Sequence, residues 1–273
     1  MSQNTKLLTG IPRSGTTLCC YLLNEAADTV ALHEPISPKL FYTGKPPVEV
    51  IGEAIDRFRA TLLEEGRAVS KQVDGKIPAN SVHVDGSQDR RESVILGEFT
   101  AGQSLSADFT LVVKHNALFA ALLPQLERKY PVSCVVRNPL PVLASWQSVN
   151  LPVGSGSVPM AERYDEVLRA RLAELENVLE KQLAILGWFF GQFRNQPGII
   201  RYEEVIRTNG EILSVVAGKP FKASPSLTFQ NRNSGLADEE LRVLTDHLLS
   251  HPEVYEGFYR PAEIEQQLLE MLD

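Results

Sequence analysis

The residues with the clearest chemical potential are Gly10-Ile11-Pro12-Arg13-Ser14-Gly15-Thr16-Thr17. They nearly match the phosphate-loop pattern GxxxxGK[ST]. The glycines let backbone N–H groups turn inward, and the helix that follows offers its N-terminus to an anion. A nucleoside triphosphatase places Lys at the seventh position to reach the β- and γ-phosphates. Here that position is Thr16, and the nearest cation is Arg13, inside the loop. This argues against ATP or GTP hydrolysis and favours a donor with one phosphate-like group in the cradle. Taken alone, the same eight residues also describe an ordinary strand–turn–helix connection.

The elements around the loop sharpen that choice. Residues 6–11 read as a buried strand and 16–27 as a helix. Further apolar runs at 30–33, 109–113, 132–136 and 198–202 read as strands, so about five are expected. Helical patterns fall at 48–66, at 117–129 with Pro124 dividing it, and through Leu143 and Trp146. A long helix is expected over 161–193, then shorter ones near 210–216 and 239–250. Residues 70–91 read as a polar loop, and 151–159 as a flexible loop and candidate lid.

Strands alternating with helices imply βαβ units and a mainly parallel sheet, an α/β fold. Arg13, Glu34, Lys114 and Arg137 each follow a strand run. Open parallel sheets bind ligands at the carboxyl ends of their strands. One geometric rule therefore brings four scattered residues to one edge. Arg137, after a strand, and Ser145, eight residues on in the next helix, can converge on a single phosphate. His33 and Glu34 are neighbours on an extended run, so only one of them is expected to face the site.

Pro12-Arg13-Ser14-Gly15-Thr16-Thr17 is similar to the 5′-phosphosulfate loop of the PAPS-dependent sulfotransferases, where PAPS is 3′-phosphoadenosine 5′-phosphosulfate. Arg137-Asn138-Pro139 with Ser145 resembles that family's 3′-phosphate motif, at the family's spacing. The resemblance runs from about residue 6 to 202 and is weak over 43–108. It implies a P-loop-like three-layer α/β/α fold and transfer of a sulfuryl group from PAPS to a hydroxyl or amine. PAP is the product, and no metal is required. Pro12 to Thr17 with Leu18 would hold the phosphosulfate, and Tyr202 would lie near the adenosine. Arg232 and Ser234 resemble a late loop that closes on the 3′-phosphate, or form a polar turn.

The resemblance also distributes the chemistry. Arg13 and Lys114 would stabilise charge on the leaving oxygen. Glu34 resembles the base of the branch that includes tyrosylprotein and several bacterial sulfotransferases; its structural alternative is a salt-bridged or helix-capping carboxylate. His115 is the second choice of base, because the phenol and steroid branch uses a histidine near a lysine after this strand. Here Lys114 and His115 are adjacent, without the threonine usual between them. A P-loop kinase of small metabolites and a non-catalytic PAP-binding protein are the two competing functions.

Composition bounds these readings. The chain has 273 residues, 43% hydrophobic, with 27 basic and 34 acidic side chains and a net charge of −7. Nucleic-acid binders usually carry a basic excess, so none is expected as a partner. A polyanionic small ligand then needs a local basic cluster. Cys19, Cys20 and Cys134 have no metal or disulfide spacing and read as core thiols. The first residues lack an apolar signal core, and no apolar run is long enough for a membrane span. These features predict a cytoplasmic single domain over 1–273, with the helical part from about 204 packed on it. The expected partner is a small-molecule acceptor, with no membrane contact; a homodimer is compatible with the sequence. The acceptor pocket is expected from residues 35–42, 66–108 and 150–160. Phe41, Tyr42, Trp146 and Tyr164 are either its aromatic wall or core.

Overall fold

Parallel strands covered on both faces read as unbroken apolar runs, and the runs of this chain form such a sheet. A computed structural model describes residues 4–84, 90–223, 226–229 and 235–272. The first half begins with β1 (Thr5–Gly10), α1 (Thr16–Leu23), β2 (Thr29–His33) and α2 (Pro47–Glu65). It continues with β3 (Arg67–Gln72), β4 (Val82–Val84), β5 (Arg90–Glu92) and β6 (Ile95–Thr100). Then come β7 (Thr110–Lys114), α3 (Ala117–Ala121), α4 (Leu123–Leu126), β8 (Val132–Val136) and α5 (Pro139–Gln147). The remainder is α6 (Pro159–Glu162), α7 (Glu166–Glu174), α8 (Val178–Phe193), β9 (Ile199–Arg201), α9 (Tyr202–Arg207), α10 (Ser214–Ala217), α11 (Asp238–Ser250) and α12 (Pro261–Leu272).

The central sheet has the order β2-β7-β1-β8-β9, with every pairing parallel. Every residue of β2 and β7 is buried. One apolar core gathers α1 and α2 residues such as Leu22, Ile51 and Phe58 with the sheet. A second gathers Trp146, Phe189, Phe193 and Leu244 from α5, α8 and α11. Two cores about one sheet make a three-layer α/β/α architecture. The late helices α11 and α12 both pack on α5. The chain leaves β1 for one side of the sheet and returns to β8 on the other, which opens a crevice beyond the ends of β1 and β8.

Two expectations are corrected. The stretch 70–91 is not simply a loop: β3 pairs antiparallel with β6, and β4 with β5. The buried alternate positions of β3 are Ala68, Ser70 and Gln72, so the strand carries no apolar alternation to read. The single helix over 161–193 is three helices. Asp165 accepts the Leu168 N–H at 2.9 Å, and Asn177 accepts the Leu179 N–H at 2.8 Å. Both are N-cap interactions, so each side chain starts a new helix. Asp165 also accepts a hydrogen bond from the Trp188 indole at 2.7 Å, which folds α8 back onto the preceding turn.

Candidate active site

The loop after β1 is shaped by two left-handed residues, Arg13 at φ 72° and Gly15 at φ 89°. Gly15 is also the N-cap of α1, so the amides that begin the helix follow the turn directly. Those first amides have no acceptor within their own helix. Gly10 is required for a different reason. A Cβ there would lie 2.5 Å from the Val135 carbonyl oxygen of the neighbouring strand. The Ser14 hydroxyl donates to that same carbonyl at 3.0 Å, and the Ser14 N–H donates to Ile11 O at 3.0 Å. Ser14 is therefore spent on holding the loop, while Thr16, Thr17 and Leu18 line the open side. The Trp146 indole donates to the Pro12 carbonyl at 2.9 Å and anchors the other end of the turn.

Arg13, Ser145 and Arg137 form one network. Arg13 Nε donates to Ser145 Oγ at 3.0 Å, and an Arg137 Nη donates to the Arg13 carbonyl at 3.1 Å. Burial pulls the Arg13 guanidinium down to about 10, with repulsion from Arg90 and Arg137 adding to the effect, so it stays charged at neutral pH. Burial also lowers Arg137. The Arg137 guanidinium lies 4.2 Å from the centre of the Tyr202 ring, a cation–π geometry. The same ring covers Gly15, where an added Cβ would meet Tyr202 Cδ2 at 2.5 Å. In this structure Tyr202 is a packing platform that ties Arg137 to the loop. The motif is braced from behind: Glu203 accepts the Asn138 N–H and the Tyr259 hydroxyl, each at 2.9 Å.

Across the crevice, β2 and β7 end side by side with His33 in register with Lys114. Lys114 is 2% exposed, and its Nζ lies 2.8 Å from Glu34 Oε1 and 3.4 Å from His33 Nδ1. The expectation that only one of His33 and Glu34 faces the site is corrected. Glu34 adopts φ 45°, which ends the strand alternation, and both residues line the cavity. The other Glu34 oxygen lies 3.0 Å from Lys71 Nζ, and Lys71 reaches Glu92 at 2.7 Å. Burial alone would raise the Glu34 carboxyl, but Lys114 and then Lys71 hold it well below the usual carboxylate range. For Lys71, burial works against the charge, yet Glu34 and Glu92 raise it above the ordinary lysine value.

The two histidines that line the cavity, His33 and His115, are neutral. Burial, then Lys114, drives His33 well below its ordinary value, and burial drives His115 down to about 3. His115 Nε2 accepts the Ile36 N–H at 3.0 Å. That lone pair is occupied in the fold, so His115 is poorly placed to serve as the second-choice base. Among the described residues the buried His33 Nε2 and Asn116 Oδ1 find no hydrogen-bond partner, and both residues line the cavity.

The cavity has a volume of about 700 Å³ and spans the phosphate loop, the Arg137 network and the Glu34 cluster. Its described wall carries the cations Arg13, Lys71, Arg90, Lys114 and Arg137 against the carboxylates Glu34 and Glu92. A basic site thus lies within an acidic chain. Leu151, Pro152, Val158 and Met160 form an apolar wall. The expected flexible lid is a compact 3₁₀ turn over Pro152–Ser155, with Val153 and Val158 buried. Gln182 Nε2 donates to the Val153 carbonyl at 3.0 Å and tethers it.

Residues 35–42 do not line the cavity, nor do Phe41, Tyr42, Trp146 and Tyr164. Trp146 is fully buried, Phe41 packs edge-on against Tyr164, and Tyr42 is exposed beneath the Arg163 guanidinium. Arg232 and Ser234 lie outside the described residues. Sequence reasoning missed Lys71, Asn80, Arg90 and Glu92, all on the segment read as a loop or just beyond it. Asn80 accepts a hydrogen bond from Arg13 at 3.2 Å. Among the described residues no group of three or more His, Cys, Asp or Glu could hold a metal ion. Nor is any described helix long and apolar enough to cross a membrane.

No protein-family profile matches the chain, and no curated protein does. Among solved structures, the crystal structure of sulfotransferase STF9 from Mycobacterium avium is similar at 14% identity and a TM-score of 0.35. That likeness covers 100% of this chain and 77% of that one. At that score the likeness carries no weight for function, and the site stands on its own geometry.

Proposed function

We propose that the protein transfers the sulfuryl group of PAPS to a hydroxyl or amine of a small acceptor. The observation that carries this reading is the division of one cavity into two ends. At one end, a helix-terminal loop without the triphosphatase lysine adjoins the Arg13–Ser145–Arg137 network. At the other, a carboxylate sits between two ammonium groups. The first suits two separate phosphate-like groups: the phosphosulfate at Gly15 to Leu18 with Arg13, and the 3′-phosphate at Arg137 with Ser145. The second suits the reacting atoms.

The acceptor oxygen or nitrogen attacks sulfur as the bond from sulfur to the phosphate oxygen breaks. PAP leaves carrying the bonding pair, and Arg13 and Lys114 stabilise the growing charge on its oxygen. The acceptor proton passes to Glu34. A carboxylate held so firmly ionised is a weak base. It accepts the proton late, once bonding to sulfur has made the acceptor acidic. The basic wall also explains how a chain of net charge −7 would attract a polyanion.

The test is incubation with PAPS and a panel of small alcohols, phenols and amines. The readouts are PAP release and products heavier by one SO₃ group. Glu34→Gln is expected to bind PAP as the native protein does and to lose transfer by roughly 10²-fold or more. A Glu34→Gln protein that keeps most of its turnover would remove Glu34 from the chemistry.

A further inference from the structure

We infer that Lys71, delivered by the inserted strand β3, is a positioning residue that fixes the orientation and ionisation of Glu34. This deepens the sulfuryl-transfer reading and takes its catalytic meaning from it. The geometry begins with Ser70. Its hydroxyl accepts the His33 N–H at 2.9 Å, and its one hydrogen has the His33 and Lys71 carbonyls as acceptors, each at 3.3 Å. That clamp sets β3 against the end of β2, so the next residue, Lys71, arrives beside Glu34.

Each oxygen of the carboxylate then has its own ammonium, Lys114 on Oε1 at 2.8 Å and Lys71 on Oε2 at 3.0 Å. Two charge-assisted contacts on opposite oxygens remove the rotation a lone pairing would leave. Glu92 of β5, at 2.7 Å, holds Lys71 from its far side. The groups acting on Glu34 are thus Lys114 from β7, Lys71 from β3, His33 from β2 and His115 beyond β7. Both histidines are neutral near pH 7. Lys114 has a second task at the leaving oxygen. Lys71, engaged with two carboxylates, serves Glu34.

Removing the Lys71 charge must raise the Glu34 midpoint, because one of its two stabilising cations is gone. The experiment is a carbon-13 NMR titration of carboxyl-labelled glutamate in the native protein, Lys71→Gln and Lys71→Arg, with Glu34→Gln assigning the signal. Lys71→Gln is expected to move the Glu34 midpoint up by about one pH unit or more, and Lys71→Arg to restore it. In turnover, the acid limb of the kcat/KM profile should move upward with it, and Lys71→Arg should bring it back. An unmoved Glu34 midpoint in Lys71→Gln, or no restoration by Lys71→Arg, overturns the assignment. Lys71→Met gives the same reading should the amide variant not fold. Were the native protein to transfer no sulfuryl group, the titration would still decide the role of Lys71, and only the sulfuryl-transfer reading would fall.

Discussion

Gly15 joins the turn of the loop and the Tyr202 contact in one residue. It sits at φ 89° at the start of α1, under the Tyr202 ring. An L-residue there has to adopt the left-handed conformation and also displace an aromatic ring that carries Arg137. The first demand costs about 1–2 kcal/mol, and overpacking adds a comparable amount. Gly15→Ala should therefore lower stability by about 2–4 kcal/mol and weaken PAP binding as Tyr202 and Arg137 shift. Urea unfolding and PAP titration on the same sample check both. A variant of native stability would show that the Tyr202 contact is soft. Arg13, at φ 72°, is the opposite case: a bulky residue held left-handed beside the loop glycine. Strain of this kind persists where the surroundings enforce it, and here Ser145, Asn80 and Arg137 all grip Arg13.

At the scale of elements, the readable parts are those where apolar content and geometry coincide. β1, β2, β7 and β8 are short and mostly buried, so their runs stand out, and a polar residue at or within three residues after the end of each one lines the cavity. That is why Arg13, Glu34, Lys114 and Arg137 could be brought together from sequence. β3 could not be read, because its inward positions are Ala68, Ser70 and Gln72 and its outward ones include Val69. Its alternation is of burial without hydrophobicity. Lys71, Asn80, Arg90 and Glu92 stayed out of sight with it. A salt-bridged Glu34 was an open alternative in the sequence, but its two lysine partners were not readable, since they depend on the positive φ at Glu34 and the Ser70 clamp. The helix over 161–193 misled because Asp165 and Asn177 look like ordinary polar-face residues until their side chains cap the turns that follow.

The whole molecule joins an acidic exterior to a cationic cavity, and it buries His33 and His115 neutral. Burial places both folded-state values below the ordinary histidine value. Below a pH of about 6.5 the unfolded chain binds protons that the fold refuses. Stability should thus be level above that pH and fall on acidification, by about 1.4 kcal/mol per pH unit for each histidine. For His115 this continues down towards about 3. Urea midpoints measured from pH 7.5 to 5 check this, with His115→Gln expected to halve the slope; a flat profile would mean the two rings titrate freely. In the proposed function, two separated phosphate-like groups of one donor are held by the loop and by Arg137. The most direct test is calorimetric titration of PAP into the native protein and Arg137→Ala, without added metal and beside ATP with Mg²⁺. PAP should bind the native protein and lose roughly 10- to 100-fold in affinity on Arg137→Ala, with ATP much the weaker ligand. Equal binding of PAP by the two proteins, or preference for ATP with Mg²⁺, would contradict the account.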